Sequence, residues 1–292
     1  MKYWKIFKKT LSEYGVQDAM NYSSSIAFYL IFSLPAILII TIYIAGSVYE
    51  DQVVRDSLLE QFNNFFGQQS AEAIDKILRN VNEASDSVIN RIIGFITLIV
   101  SATTVFVSLQ DGINKVWGIV AKPDSNLYRV LKNRLLSLAM AVSVGFLLLV
   151  SLVIEASLNF FDSKVIEIFS ESEFYIANTI SFSFSVIVTT SVFACLFKII
   201  PDAEVKWKNV WMGALITTVL FGIGKYMIGF YLGVSSFGNV YGAAGSLVIL
   251  LTWIFYSSMI VLFGAQFTAV YSEEIEGGIN TSENAELESE NS

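Results

Sequence analysis

Apolar and polar positions along this chain are arranged in long blocks. Six blocks hold enough consecutive apolar residues to cross a hydrocarbon layer, which takes about 20 residues in a helix. They lie at 26–48, 92–109, 135–158, 177–200, 210–230 and 242–271. The first is longer than the apolar core of a cleavable leader and stands apart from the lysines before it, so it reads as a retained helix. Ahead of it, YWKIFKKTLSEY sets Trp4, Phe7, Leu11 and Tyr14 near one face and lysines elsewhere. That is the pattern of a short helix lying in a membrane interface. Residues 49–90 repeat a helical period twice: Val54, Leu58, Phe62 and Phe65 share one face, and Ala71, Ile74, Leu78 and Val81 another. The fold class expected is all-α. It is a polytopic membrane protein whose six transmembrane helices occupy 26–271, with an N-terminal interfacial helix within 1–25 and an outer-side amphipathic helical loop at 49–90.

Composition agrees with that pattern. Hydrophobic residues make up 54% of 292 and charged residues 15%, where a soluble domain carries about 25% charged. Mean hydropathy is +0.60. The net charge of −8 is concentrated: seven glutamates lie between Glu273 and Glu290, with no Lys or Arg among them. Residues 272–292 therefore read as a disordered acidic tail, polar and without period.

Charge also sets orientation, because Lys and Arg collect on the cytoplasmic side. Lys2, Lys5, Lys8 and Lys9 precede the first block. Lys115, Lys122, Arg129, Lys132 and Arg134 fall between the second and third, and Lys198, Lys206 and Lys208 between the fourth and fifth. These alternating regions hold 12 of the 18 basic residues. Both termini of this multi-pass protein are accordingly expected in the cytoplasm.

Several chemistries are excluded or disfavoured. There is no histidine, which removes Ser-His-Asp and Cys-His catalysis and any His-containing metal site. A single cysteine, Cys195, permits no internal disulfide and reads as a small buried hydrophobe. The stretch FGIGKYMIGFYLGVSSFGNVYGAAGS (221–246) invites comparison with a phosphate-binding loop. That loop needs G-x-x-x-x-G-K-[S/T], and here Val219 occupies the first glycine position and Tyr226 follows Lys225. It reads instead as an outer-face hairpin and a candidate gate.

Polar residues inside apolar helices are the first place to look for function in a membrane protein. Thr97, Ser101, Thr104 and Ser108 share one face of the second block, and Asp111 continues their line. Asn178, Ser181, Ser185 and Thr189 share one face of the fourth. Together they form a candidate polar path, or else they are small residues that let helices pack closely and hydrogen-bond. Two charges, Glu155 and Lys225, lie inside blocks near the outer side. Each can pair with the other or reach the interface along its own stem. Pro35 removes a backbone bond and is expected to kink the first helix, and Gly229, Gly233, Gly238, Tyr241 and Gly242 mark the candidate kink or gate around the hairpin.

Four segments carry a resemblance: SSSIAFYLIFSLP (23–35), LQDGINKVWGI (109–119), PDAEVKWKNVWMGAL (201–215) and YGAAGSLVILLTWIFYSSMIVLFGAQF (241–267). In this order they resemble the YihY/BrkB family of bacterial inner-membrane proteins, historically mislabelled ribonuclease BN. The likeness runs from about residue 15 to 271. On it, Pro35, Asn114, Trp117, Pro201, Gly213, Tyr241, Gly242, Trp253, Gly264 and Ala265 fall on motif positions. Gln266 departs from the glutamate that typically follows Gly-Ala there, which counts against proton coupling at that site. The resemblance implies a six-helix envelope protein with proposed solute or lipid transport, and it names no substrate.

A nuclease would need a metal site or a positioned acid–base pair beside a concentrated basic surface. The residues offer neither, so no nucleic-acid partner and no cofactor are expected, and no catalytic residue is nominated. The expectation is a non-enzymatic transporter or translocator of a small solute or lipid, with the bilayer as its partner. A structural or scaffolding envelope protein is the alternative, and an intramembrane hydrolase lacks a visible nucleophile and base. The substrate, driving ion and oligomeric state are not legible in the chain.

Overall fold

The computed structural model describes residues 2–16, 18–46, 100, 104–121, 171–234, 245–276, 278–281 and 285–287, with 52, 55, 56, 58–60, 72, 75 and 79 from the segment between. Side chains at 34–46, 171–182, 184, 225 and 228–234 are among those outside that description. The elements in chain order are α1 (Lys2–Val16), α2 (Ala19–Gly46), α3 (104–116), β1 (Ile119–Ala121), α4 (Glu171–Ile199), β2 (Ala203–Glu204), α5 (Trp207–Val234), α6 (Gly245–Glu276), β3 (Asn280–Thr281) and β4 (Ala285–Leu287).

Local chemistry explains where these elements stop. Between α1 and α2 the chain turns at Asp18, whose φ of 52° is a left-handed conformation that Asp tolerates better than most residues. Its carbonyl accepts the Asn21 and Tyr22 amides at 2.9 and 3.3 Å, starting α2. α3 ends at Gly118, with φ 66°, where glycine carries no Cβ penalty. α4 ends before Pro201, which cannot continue a helix. The Lys198 ammonium in its last turn donates to the Val205 carbonyl at 2.7 Å.

α6 organises the packing. It lies against α5 and α2, α5 also lies against α4, and α1 runs along α6. The main core joins Ile26 of α2, Ile113, Val116 and Trp117 at the end of α3, Phe193 and Phe197 of α4, Val210 and Ala214 of α5, and Leu262 and Ala265 of α6. A second cluster joins Ile6 to Phe267, Val270 and Tyr271, with Met212 and Ile216 of α5 against it.

α5 and α6 cross through a reciprocal contact. A Cβ on Gly213 would overlap the Thr268 hydroxyl, and a Cβ on Gly264 would overlap the Thr217 hydroxyl. Each threonine bonds the carbonyl of the glycine four residues before it on its own helix, Thr217 to Gly213 at 2.7 Å and Thr268 to Gly264 at 2.8 Å. The hydroxyls are thus satisfied without water, and the antiparallel backbones approach closely, as small residues allow in membrane helices.

Two features were not legible in the local sequence pattern. Residues 272–292 are not uniformly without structure: α6 continues to Glu276, β3 pairs antiparallel with β2, and β4 with β1. Backbone pairing is indifferent to the glutamates that suggested disorder, and the strands gain partners from two loops that the local sequence did not reveal. The face of α1 also differs. Phe7 and Tyr14 turn toward Phe263, with ring centroids 5.8 and 5.4 Å away, while Trp4 and Leu11 are exposed.

Among the described residues, Leu247–Ile275 is long and apolar enough to cross a membrane, with mean hydropathy 2.2, and Ser185–Ile199 is a shorter apolar helix. The block at 135–158 and most of 92–109 lie outside the described residues. Of the loop at 49–90, the structure describes Leu58 as buried and a link from the Arg55 guanidinium to Asp75, which also accepts from Arg79 at 2.8 Å.

Candidate functional site

The polar groups that the fold brings together sit at the end of the bundle where α1, the end of α3, the start of α5 and the last turns of α6 meet. On α3, Gln110 and Asn114 are four residues apart and therefore on one face. Both reach Asp202, which follows Pro201. Gln110 donates to its carboxylate at 3.2 Å and Asn114 at 2.8 Å, while the Asp202 backbone amide donates back to the Asn114 side-chain Oδ1 at 2.9 Å. Asn114 is buried, so this two-way bond satisfies a carboxamide that would be costly to leave unmatched. One turn on, the indole of buried Trp117 donates to the Ala265 carbonyl at 2.8 Å, fastening α3 to α6.

Gln266, next along α6, is 2% exposed and donates to the Glu13 carboxylate of α1 at 2.9 Å. Its side-chain oxygen finds no hydrogen-bond partner among the described residues. Lys9 then links Glu13 at 3.8 Å to Glu273 at 2.8 Å and Glu274 at 3.7 Å. Tyr14 completes the contact, its hydroxyl donating to the Met259 carbonyl at 2.8 Å. Burial pushes the Tyr14 phenol up to about 12, with a bond to Ser23 opposing the shift. α1 is thereby held along α6 by a buried carboxamide, a phenol and an ion-pair chain.

Asp111 lies beside this junction and is exposed. The protein around it and the charge of Asp202 hold its carboxyl above the ordinary carboxylate range. In the loop at 49–90 the opposite holds: the Arg55 guanidinium keeps Asp75 below that range.

The residues of the candidate path are only partly placed. Thr97 and Ser101 lie outside the described residues, as do the side chains of Asn178 and Ser181. Thr104 bonds the Val100 carbonyl at 2.8 Å, Ser108 is buried, Ser185 is exposed and Thr189 is half-buried. The hydroxyl that joins α4 to α5 belongs to the next residue, Thr190, 3.0 Å from the Thr218 hydroxyl. Each of that pair also bonds its own helix, at Val186 and Ala214. Glu155 and the side chain of Lys225 are outside the described residues, so their pairing is not placed. Pro35 falls within α2 and Gly229 and Gly233 within α5, while Gly238, Tyr241 and Gly242 are not described.

The motif positions fare differently. Asn114, Trp117, Pro201, Gly213, Trp253, Gly264, Ala265 and Gln266 are all buried. Seven of them surround the junction and the α5–α6 crossing; Trp253 lies farther along α6, edge-on to Phe221 at 5.9 Å. Reading the sequence did not single out Gln110, Asp202, Glu13, Lys9, Thr190 or Thr218. A usable signal was present for the first two: two carboxamides four residues apart at the polar end of an apolar block, and a carboxylate just after a helix-ending proline. Among the described residues no group of three or more His, Cys, Asp or Glu is placed to hold a metal ion.

Comparison with known proteins adds the lineage. The family model described as "Virulence factor BrkB" matches residues 10–288. A "UPF0761 membrane protein" of Actinobacillus pleuropneumoniae serotype 5b is 24% identical over 96% of this chain and 95% of its own length. Relatives with the same description in Verminephrobacter eiseniae and Chromobacterium violaceum are 28% and 39% identical, over 60% and 30% of the chain. The match spans 40% and 21% of the length of those two relatives. No solved structure matches the chain.

Proposed function

The chain belongs to the BrkB virulence factor family of membrane proteins, and from that premise we propose that it is a six-helix protein of the bacterial inner membrane that moves a small solute or lipid across it. The carrying observation is Gln266, a carboxamide 2% exposed in a long apolar helix, with an oxygen that is unpartnered among the described residues and a bond to a charged side chain of α1. Polar groups inside membrane helices are expensive and mark solute or ion paths more often than other positions. The exposed face of α5 supports spanning. It reads Trp207, Trp211, Leu215, Val219, Ile223 and Tyr226, with aromatic residues about 28 Å apart at ~1.5 Å rise per residue, close to the ~30 Å hydrocarbon thickness. The alternating lysines place the junction on the cytoplasmic side in this reading, which involves no enzymatic step.

The second reading, a scaffold that transports nothing, is favoured by the interlocked Gly213–Thr268 and Gly264–Thr217 contacts and by hydroxyls such as Thr104 that already bond their own helix. Flux of candidate solutes and fluorescent lipids into proteoliposomes separates the two. Ser101→Val, Thr104→Val, Ser185→Val and Thr189→Val, combined, should abolish flux through a polar path and leave a scaffold's stability and envelope phenotype unchanged. Absence of flux for every class tested, with an envelope phenotype that survives the fourfold variant, would establish the scaffold.

A further inference from the structure

The five tryptophans divide cleanly. Trp117 and Trp253 are buried at 5% and 6% exposure, whereas Trp4, Trp207 and Trp211 are exposed at 72%, 49% and 43%. The exposed three come from two helices that meet at one end of the bundle, where Ile6 of α1 and Met212 and Ile216 of α5 share the second apolar cluster. Lysines accompany them. Lys5 and Lys8 lie on the outward face of α1 with Trp4 and Leu11, and Lys208 follows Trp207 on α5; all are exposed. Among the described residues these three lysines enter no ion pair. The acids nearby are engaged elsewhere: Glu13 with Gln266, and Glu273 and Glu274 with Lys9. Lys9 lies inward, so the acids are matched along the α6 side while the outward side stays cationic. Asp18 at the α1–α2 turn and Glu204 of β2 are the remaining described exposed acids next to these elements.

We propose that the outer face of α1 and the first turns of α5 form one binding surface for the headgroups of anionic phospholipids. Tryptophan settles at headgroup depth because its ring is apolar and its N–H is polar. An ammonium above it then meets phosphate, and a lysine near an anionic leaflet contributes about 1 kcal/mol, or roughly fivefold in binding. Below the tryptophans the exposed face of α5 continues as Leu215, Val219 and Ile223, which suits acyl chains and no water-soluble polyanion. The inference rests on the membrane-spanning reading of α5 but not on transport.

The test uses the full chain reconstituted in phosphatidylcholine vesicles that contain either phosphatidylglycerol or phosphatidylcholine brominated in the acyl chain near the headgroup. Bromine quenches tryptophan fluorescence on contact, so Trp4, Trp207 and Trp211 report the lipid beside them. At equal mole fraction, brominated phosphatidylglycerol should compete for these sites at least about fivefold better than brominated phosphatidylcholine, and the advantage should shrink as salt screens it. Lys5→Gln, Lys8→Gln and Lys208→Gln together should erase the advantage while leaving quenching by phosphatidylcholine intact, which shows that the variant is still folded and inserted. Equal quenching by the two lipids in the wild type, or an advantage that survives the triple variant, overturns the proposal. If neither lipid quenches, the surface lies outside the bilayer and the spanning reading of α5 falls with it. Flux in the same vesicles is scored separately.

Discussion

The α5–α6 crossing and the junction at the end of the bundle both hold α6 to its neighbours, by different means. At the crossing, Gly213 and Gly264 are each filled by a threonine from the opposite helix, and each hydroxyl is satisfied inside its own helix. At the junction, Asn114 binds Asp202, and Gln266 binds Glu13, which also meets Lys9, so that polar bonds reach across three helices and a loop. Lipid is as apolar as a leucine side chain, so burying apolar area does not draw helices together there. Close backbone approach has to supply the cohesion. At the junction the joining groups are carboxamides, carboxylates and an ammonium, which can link elements that approach less closely. The crossing tolerates almost no change of shape, whereas the junction tolerates change of shape but not loss of a partner.

The largest effect should come from filling the crossing. Gly264→Val places a branched side chain where Thr217 already sits, and overpacking of this kind costs about 1–3 kcal/mol and occasionally more. The detergent-purified variant should melt far below wild type or fail to elute as a single species. Gly213→Ala is milder, and adding Thr268→Ala should recover most of its loss by removing the hydroxyl that it strikes; no recovery would show that something else limits the approach. Next comes Asn114→Ala, which removes two bonds to Asp202 and leaves a buried charge-linked site half satisfied. A loss of about 2 kcal/mol is expected in a chemical denaturation series, with Gln110→Ala losing less because its single bond is longer.

The pH response should be smaller. The Asp111 carboxyl sits above its ordinary range in the folded protein, so the folded state holds that proton more tightly than the unfolded chain. Its contribution to stability is therefore lost as pH rises from the ordinary carboxylate range through the raised value. Asp111→Asn should flatten this slope and raise the melting temperature by a few degrees at neutral pH, with little change in acid. Asp75 runs the other way: its lowered value stabilises above the ordinary range, and that stability is lost as pH falls through it. A melting-temperature series against pH, with and without Asp111→Asn, separates the two. The smallest expected effect is Thr190→Val, which removes one inter-helix hydrogen bond. Such bonds average ~0.6 kcal/mol in membrane helices, and a loss above ~2 kcal/mol would mark Thr190 and Thr218 as more than a packing contact.

Much of the helical layout was legible in the chain. The apolar blocks at 177–200, 210–230 and 242–271 fall within or nearly within α4, α5 and α6, though α5 extends past its block at both ends, α6 runs on beyond its block to Glu276 and α4 begins earlier. The difference is physical: hydropathy marks where lipid begins and ends, while backbone hydrogen bonds carry a helix on until a proline or a left-handed residue stops it. α2 shows this at its start, running back from the apolar block to the turn at Asp18. The site was less legible. Thr189 and Thr190 are equally polar in the sequence, and only the rotation of α4 against α5 makes Thr190 the one that meets Thr218. Gln266 attracted notice as a departure from a motif, but its donor role toward Glu13 depends on where α1 lies.

Composition, block length and the placement of lysines determined by themselves that this is a helical membrane protein, because the cost of putting charge or unpaired backbone into lipid is a property of residues rather than of their neighbours. Only the tertiary structure decided which polar residues meet, which glycines are filled by threonines, which face of α1 points outward, and that part of an acidic tail pairs with two loops. Those outcomes turn on distances between residues far apart in the chain: Glu13 and Gln266, Asn114 and Asp202, Gly213 and Thr268. No local pattern encodes such a distance, because it is set by the packing of every helix between them.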